Sequence, residues 1–153
     1  MKQDQKIVII GGTACGPKTA ARVRRCNPQA KITIIEQTEY LSSATCGFPY
    51  YVGGRIKQRT SLEVVKLPYL KNAYNVEVLN HTRALEIDRG EKKVRVTNVV
   101  SGENTDVAYD KLVIATGGSP IRLYCDGADL NGIYPVWTML DALTVREWVD
   151  GKN

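Results

Sequence analysis

The chain predicts an α/β fold: a parallel β-sheet with flanking helices, into which an antiparallel β-meander is inserted. Three observations predict it. A short β-branched run, Lys6-Ile7-Val8-Ile9-Ile10, enters the glycine-rich turn Gly11-Gly12-Thr13-Ala14-Cys15-Gly16 and then a helical stretch. A second run, Lys31-Ile32-Thr33-Ile34-Ile35-Glu36, follows that helix and ends in an acid. Further on, three alternating segments separated by short turns precede a last apolar run, Lys111-Leu112-Val113-Ile114-Ala115. With 153 residues, 43% of them hydrophobic, the chain can bury one ordinary core, so one domain is expected.

Taken in order, the first run reads as a buried parallel strand. Pro17 suits the first position of the helix after the turn, where its missing N–H leaves no bond unmade. That helix runs to about Cys26, where Asn27-Pro28 stops it. Residues 31–36 form the second strand, and two parallel strands joined by one helix make the nucleotide-binding half of a Rossmann-type fold. Gly47 to Gly54 reads as an irregular loop, and Leu62 to Ala73 as a helix interrupted by Pro68. Val76-Glu77-Val78-Leu79 is a third parallel strand. Residues 84–88, 93–97 and 106–109, with turns at 89–91 and 101–104, make the meander, after which Lys111–Ala115 returns to the parallel sheet. A last helix starts at Thr138 with Asp141 as its capping-box partner, and its apolar residues Leu140, Leu143 and Trp148 call for a surface to cover.

Composition narrows the function classes. No apolar run approaches the length of a membrane span, and Met1-Lys2-Gln3-Asp4-Gln5-Lys6 lacks the apolar region of a signal peptide, so a cytoplasmic protein is expected. Cys15, Cys26, Cys46 and Cys125 form no CxxC pair, which argues against zinc and, in a reducing compartment, for thiols over disulfides. Cys15 and Cys26 read as packing residues of the first helix, Cys125 as a loop thiol or a second redox partner. The net charge is +5, and Lys18, Arg22, Arg24 and Arg25 of one helix carry part of it. They form either a solvated face or a docking surface for a phosphorylated ligand. No aromatic stripe accompanies them, which argues against nucleic acid. His81, the single histidine, reads as structural.

The turn carries the chemistry of a dinucleotide site. Gly11 and Gly16 fill the outer positions of G-x-G-x-x-G, with Thr13 in the middle. Strand before, helix after and Glu36 at the end of the second strand supply the remaining context. The acid suits ribose hydroxyls, hence FAD or NAD over NADP.

Ser42-Ser43-Ala44-Thr45-Cys46-Gly47-Phe48-Pro49-Tyr50-Tyr51-Val52-Gly53 and Ala115-Thr116-Gly117-Gly118-Ser119-Pro120 settle the comparison with families. On these segments the chain resembles the FAD-dependent pyridine nucleotide-disulfide oxidoreductases. The similarity is to the single-cysteine branch of coenzyme A-disulfide reductases, NADH oxidases, NADH peroxidases and persulfide reductases, and runs from about Lys6 to Trp148. The resemblance implies a Rossmann-like FAD-binding domain. In it Gly11, Gly12, Thr13 and Gly16 approach the FAD pyrophosphate, Glu36 the adenosine ribose, Arg83 and Ala84 the adenine, and Ala115, Thr116 and Gly117 the flavin-linking phosphates. Cys46 is then the redox nucleophile, and Lys18, Arg22, Arg25, Ser42 and Thr45 fall where coenzyme A-disulfide reductases hold substrate. No metal is implied.

Three departures bear on the substrate: Thr45 where asparagine is common, Ser43 where an aromatic is common, and Arg122-Leu123-Tyr124-Cys125-Asp126 in place of a proline-rich stretch. Length is the larger departure. Family members continue with an NADH domain and a dimerisation domain, so the resemblance implies that residues 1–153 are the N-terminal part of an FAD-binding domain. The expected function is transfer of electrons from NAD(P)H to a disulfide, persulfide, peroxide or oxygen in a full-length homodimer, the isolated segment being inactive. The alternative is a non-catalytic dinucleotide-binding or electron-transfer module.

Overall fold

A computed structural model describes residues 4–151, which divide into two compact units. The first comprises the residues up to Ser42 together with Val65–Thr116; the second comprises Ser43–Val64 and the residues from Gly117 onward.

The first unit is a three-layer α/β structure. Its parallel sheet has the order β3-β2-β1-β7, from β1 (Lys6–Ile10), β2 (Lys31–Ile35), β3 (Val76–Leu79) and β7 (Lys111–Ile114). Register runs Ile7↔Ile32↔Val76 across three strands, and Ile7↔Lys111 on the other side of β1. Alternate residues of a strand point to opposite faces, and here both faces are covered. Ile7, Ile9, Ile32, Ile34, Val76 and Val78 form one core with Ala20, Ala30 and Leu41, against which Val23 of α1 (Cys15–Cys26) and Leu67 and Tyr74 of α3 (Leu67–Tyr74) pack. Val8, Ile10 and Ile35 form a second core with Val94 and Val96. Those two valines belong to the antiparallel meander β4 (Thr82–Asp88), β5 (Lys93–Asn98) and β6 (Asn104–Ala108). The meander thus covers the face that the helices leave open. A register shift between Ala84 and Glu86 marks a bulge at the exposed Leu85.

In the second unit a 3₁₀ turn at Thr45–Gly47 leads into α2 (Phe48–Val52), a further 3₁₀ turn spans Arg59–Leu62, and α4 (Met139–Asp150) packs against α2. Thr138 caps α4: its hydroxyl accepts the Asp141 N–H at 3.2 Å, and Asp141 Oδ2 accepts the Thr138 N–H at 2.6 Å. Arg146 joins the two helices. Its Nη1 donates to the carbonyls of Tyr51 and Val52 at 3.2 Å each, satisfying the C-terminal end of α2, while its Nε bonds Asp150 at 2.7 Å.

The expected α/β architecture is the one found, with five local differences. α1 begins at Cys15, so Pro17 is its third residue, still within the turn whose N–H groups have no helical partner. Residues 47–54 are not an irregular loop: Pro49 sits in the first turn of α2, and Gly53 and the left-handed Gly54 end it. Pro68 starts α3 instead of interrupting a longer helix, for the same reason. Cys15 and Cys26 are exposed, because α1 turns Gly16, Pro17 and Ala20 inward and leaves both cysteines on other faces. On α4 the buried residues are Met139 and Ala142, whereas Leu140 and Trp148 lie on the exposed side, Trp148 edge-to-face with Tyr134.

Candidate functional site

The glycine-rich turn follows directly from β1. Gly11 has φ +110°, and a Cβ there would collide with the carbonyl oxygen of Ala115 and approach the Thr116 nitrogen to 3.2 Å. Its N–H donates to the Ile35 carbonyl at 2.9 Å, continuing the sheet ladder into the turn. A Cβ on Gly16 would meet the Gly11 carbonyl oxygen. The turn is therefore tight because residues 11 and 16 carry no side chain. Thr13 and Ala14 are exposed at its outer bend. Ala14 gives α1 no side-chain cap, and the first turn of α1 holds no acid. Pro17 has no N–H and the Lys18 N–H bonds the Ala14 carbonyl at 3.4 Å, so the donors left in the first turn are the N–H groups of Cys15 and Gly16, at the positive end of a twelve-residue helix. That donor set fits the diphosphate of a dinucleotide.

Glu36, at the end of β2, closes the other side of the turn. It is buried, and its Oε2 accepts the Gly12 N–H at 2.8 Å while Oε1 accepts both the N–H and the hydroxyl of Thr38 at 2.9 Å. The Gly12 carbonyl in turn accepts the Ser42 N–H at 2.8 Å, so the peptide groups flanking Gly12 are held from two directions. A Cβ at Gly12 would meet the Leu41 side chain and lie 3.2 Å from the Glu36 Cβ. A carboxylate offers about four acceptor positions, so three internal bonds leave room for a ligand hydroxyl.

The predicted residues of the first unit do not all come together. Gly11, Gly12, Gly16, Glu36, Ala115 and Thr116 meet around the turn. Lys18, Arg22 and Arg25 are exposed along α1, while Arg24 is committed to structure, its guanidinium donating to the carbonyls of Tyr74, Asn75 and Pro28. Arg83 lies beside the end of β2, its Nε donating to Gln37 Oε1 at 3.3 Å. Ala84 pairs with Val96 and packs on the second core. Ser42 is buried, with φ 52°. His81 stands in the β3–β4 turn at φ 51°, its N–H on the Thr38 carbonyl and its carbonyl accepting from Val99.

In the second unit, Cys46 occupies the middle of its 3₁₀ turn. Gly47 is buried, where a Cβ would crowd Leu62 at 2.6 Å, and Phe48 is 1% exposed. Ala44 bonds the Leu62 carbonyl at 2.7 Å, and Gly47 bonds the Ala44 carbonyl at 2.9 Å. Gly47 and Phe48, the two residues that follow, are buried, whereas Thr45 and Cys46 are exposed. Gly117 has φ +67° with open space where a Cβ would be, so it is glycine for its backbone conformation alone. Cys125 is an exposed loop thiol. Thr38 and Arg146 carry contacts that sequence reasoning did not single out. Thr38 had a local signal, a hydroxyl two residues past an acid at a strand end; Arg146 had none, since its carbonyl partners lie 94 and 95 residues away.

Comparison with known proteins fits this architecture. The chain is 32% identical over 146 residues to the NAD(P)H coenzyme A polysulfide/persulfide reductase of Pyrococcus horikoshii, covering 95% of this chain and 32% of that protein. Among solved structures, reduced Bacillus anthracis CoADR-RHD superposes with a TM-score of 0.90 at 30% identity, over 99% of this chain and 27% of the other. The NAD-dependent persulfide reductase from A. fulgidus gives 0.87 at 37% identity, over 95% and 27%. The chain thus spans about a third of the length of the curated relatives it matches. The family described as pyridine nucleotide-disulphide oxidoreductase matches residues 5–147, and the chain, with its parallel sheet, glycine turn and inserted meander, belongs to that family.

Proposed function

We propose that residues 1–153 are the N-terminal part of an FAD-binding domain in an NAD(P)H-dependent oxidoreductase that reduces a disulfide, persulfide, peroxide or oxygen through Cys46. The observation that carries the reading is the Cys46 thiol, exposed in a turn whose neighbours Gly47 and Phe48 are buried. Family membership and the uncapped helix behind the glycine turn support it.

On this reading Gly11, Gly12, Thr13, Gly16 and the N-terminus of α1 hold the cofactor's diphosphate, and Glu36 accepts its ribose. Arg83 and Ala84 flank the adenine, and Ala115, Thr116 and Gly117 take the flavin side. FAD, when bound, supplies the two electrons drawn from NAD(P)H. The Cys46 thiolate is the attacking form. It attacks one sulfur of a substrate disulfide: a bond forms between Cys46 and that sulfur as the substrate's S–S bond breaks, and the departing thiolate takes up a proton. With a peroxide, Cys46 takes one oxygen and becomes a sulfenic acid while water or an alcohol leaves. The exposed Lys18, Arg22 and Arg25, with Ser42 and Thr45, receive a phosphorylated substrate of the coenzyme A type, the chemistry in the name of the P. horikoshii relative. The working enzyme is a cytoplasmic homodimer.

The test is Cys46→Ser in the whole enzyme, assayed with NADH and coenzyme A disulfide. Turnover should be lost while flavin content stays unchanged. Turnover equal to that of the parent enzyme would instead favour a non-catalytic dinucleotide-binding or electron-transfer module.

A further inference from the structure

We propose that Thr38 is a positioning residue for nucleotide binding: it fixes the Glu36 carboxylate so that Oε2, beside Gly12, is the oxygen presented to a ribose hydroxyl. The inference rests on the reading of Glu36 as the ribose acceptor and adds the group that aims it.

A glutamate at a strand end has three side-chain torsions to settle before it can meet a diol in one geometry. Thr38 settles them. Its backbone N–H and its hydroxyl both donate to Oε1 at 2.9 Å, so one carboxylate oxygen is doubly held, while Oε2 has the Gly12 N–H at 2.8 Å and a remaining lone pair. The hydroxyl is itself oriented. It accepts the Tyr40 N–H at 3.2 Å, and its oxygen lies 2.9 Å from the carboxylate oxygen against 3.2 Å from the Tyr40 carbonyl; the shorter, charge-assisted bond takes its single proton. The backbone under this relay is pinned as well, with the Thr38 carbonyl accepting the His81 N–H at 3.2 Å and the Glu36 carbonyl accepting the Thr82 N–H at 2.9 Å. Donors therefore run from Tyr40 through Thr38 to Glu36, and the carboxylate is set before any ligand arrives.

The experiment is titration calorimetry of the full chain with ADP and with 2′,3′-dideoxy-ADP, for the parent protein, Glu36→Gln, Thr38→Val, Thr38→Ala and Thr38→Ser. Thr38→Val and Thr38→Ala keep the backbone N–H and delete the hydroxyl. Each should weaken ADP about five- to tenfold, the scale of one net hydrogen bond felt through the carboxylate it holds, while leaving dideoxy-ADP within about twofold. Thr38→Ser should restore the preference for ADP. Equal weakening of both ligands in both hydroxyl-deleted variants would mark Thr38 as structural only and overturn the proposal, as would parent-like ADP binding in them. A different outcome isolates the underlying reading. If the parent protein does not prefer ADP to the dideoxy ligand, or Glu36→Gln keeps that preference, Glu36 is not the ribose acceptor and both ideas fall together.

Discussion

The α-carbon of Gly16 faces the carbonyl oxygen of Gly11 so closely that a Cβ at residue 16 would overlap it. The first turn of α1 and the last bond of β1 are in this way one packed unit. Gly16→Ala should therefore destabilise the protein by roughly 1–3 kcal/mol through overpacking against backbone that cannot rotate away. Urea unfolding at constant m-value measures it. A midpoint equal to that of the parent would show that the turn yields easily.

Ile34 is fully buried between β1 and β3, whereas Leu85 stands in the bulge at 53% exposure. Ile34→Ala should remove roughly 2–5 kcal/mol of stability, and Leu85→Ala no more than about 0.5 kcal/mol. The same unfolding experiment compares them side by side, and similar losses would contradict the assignment of the two faces.

Arg146 Nη1 donates to the last two carbonyls of α2, of which Tyr51 also accepts the Gly54 N–H at 3.0 Å, while Nε holds Asp150, and the Lys ammonium cannot reproduce that planar arrangement. Arg146→Ala is expected to lose about 1–3 kcal/mol, with Arg146→Lys rescuing it only in part. Hydrogen exchange should speed up selectively at residues 48–54. Uniform exchange across the chain would point to a global effect and not to a lost helix end.

Because Cys15, Cys26, Cys46 and Cys125 are exposed, iodoacetamide should modify all four without denaturant. Peptide mass spectrometry reads the outcome. Protection of Cys46 until urea is added would place its thiol inside and remove the basis of the proposed chemistry.

Legibility in the sequence followed the range of the interaction. The Thr138–Asp141 box was readable because both partners lie within four residues, and the strands because alternating or continuous apolar runs reveal which faces are covered. Pro68 was misread since proline breaks a helix interior and begins a helix equally well, and only the surrounding fold decides which. Cys15 was assigned inward on its residue type, whereas the phase of α1 is set by Gly16, Pro17 and Ala20. Glu36 and the glycines were found from their spacing, but the Glu36–Gly12 bond, spanning 24 residues, was not. Such a bond emerges only when β1 and β2 are side by side.

Among the described residues, Arg24 donates only to main-chain oxygens, those of Pro28, Tyr74 and Asn75. Every amino acid offers the same oxygen, so the clasp between the ends of α1 and α3 depends on the side chain of one residue, Arg24. A substitution at residue 24 removes all three bonds at once, whereas Tyr74 and Asn75 are held to their residue types by the core contact and the left-handed backbone and not by the clasp.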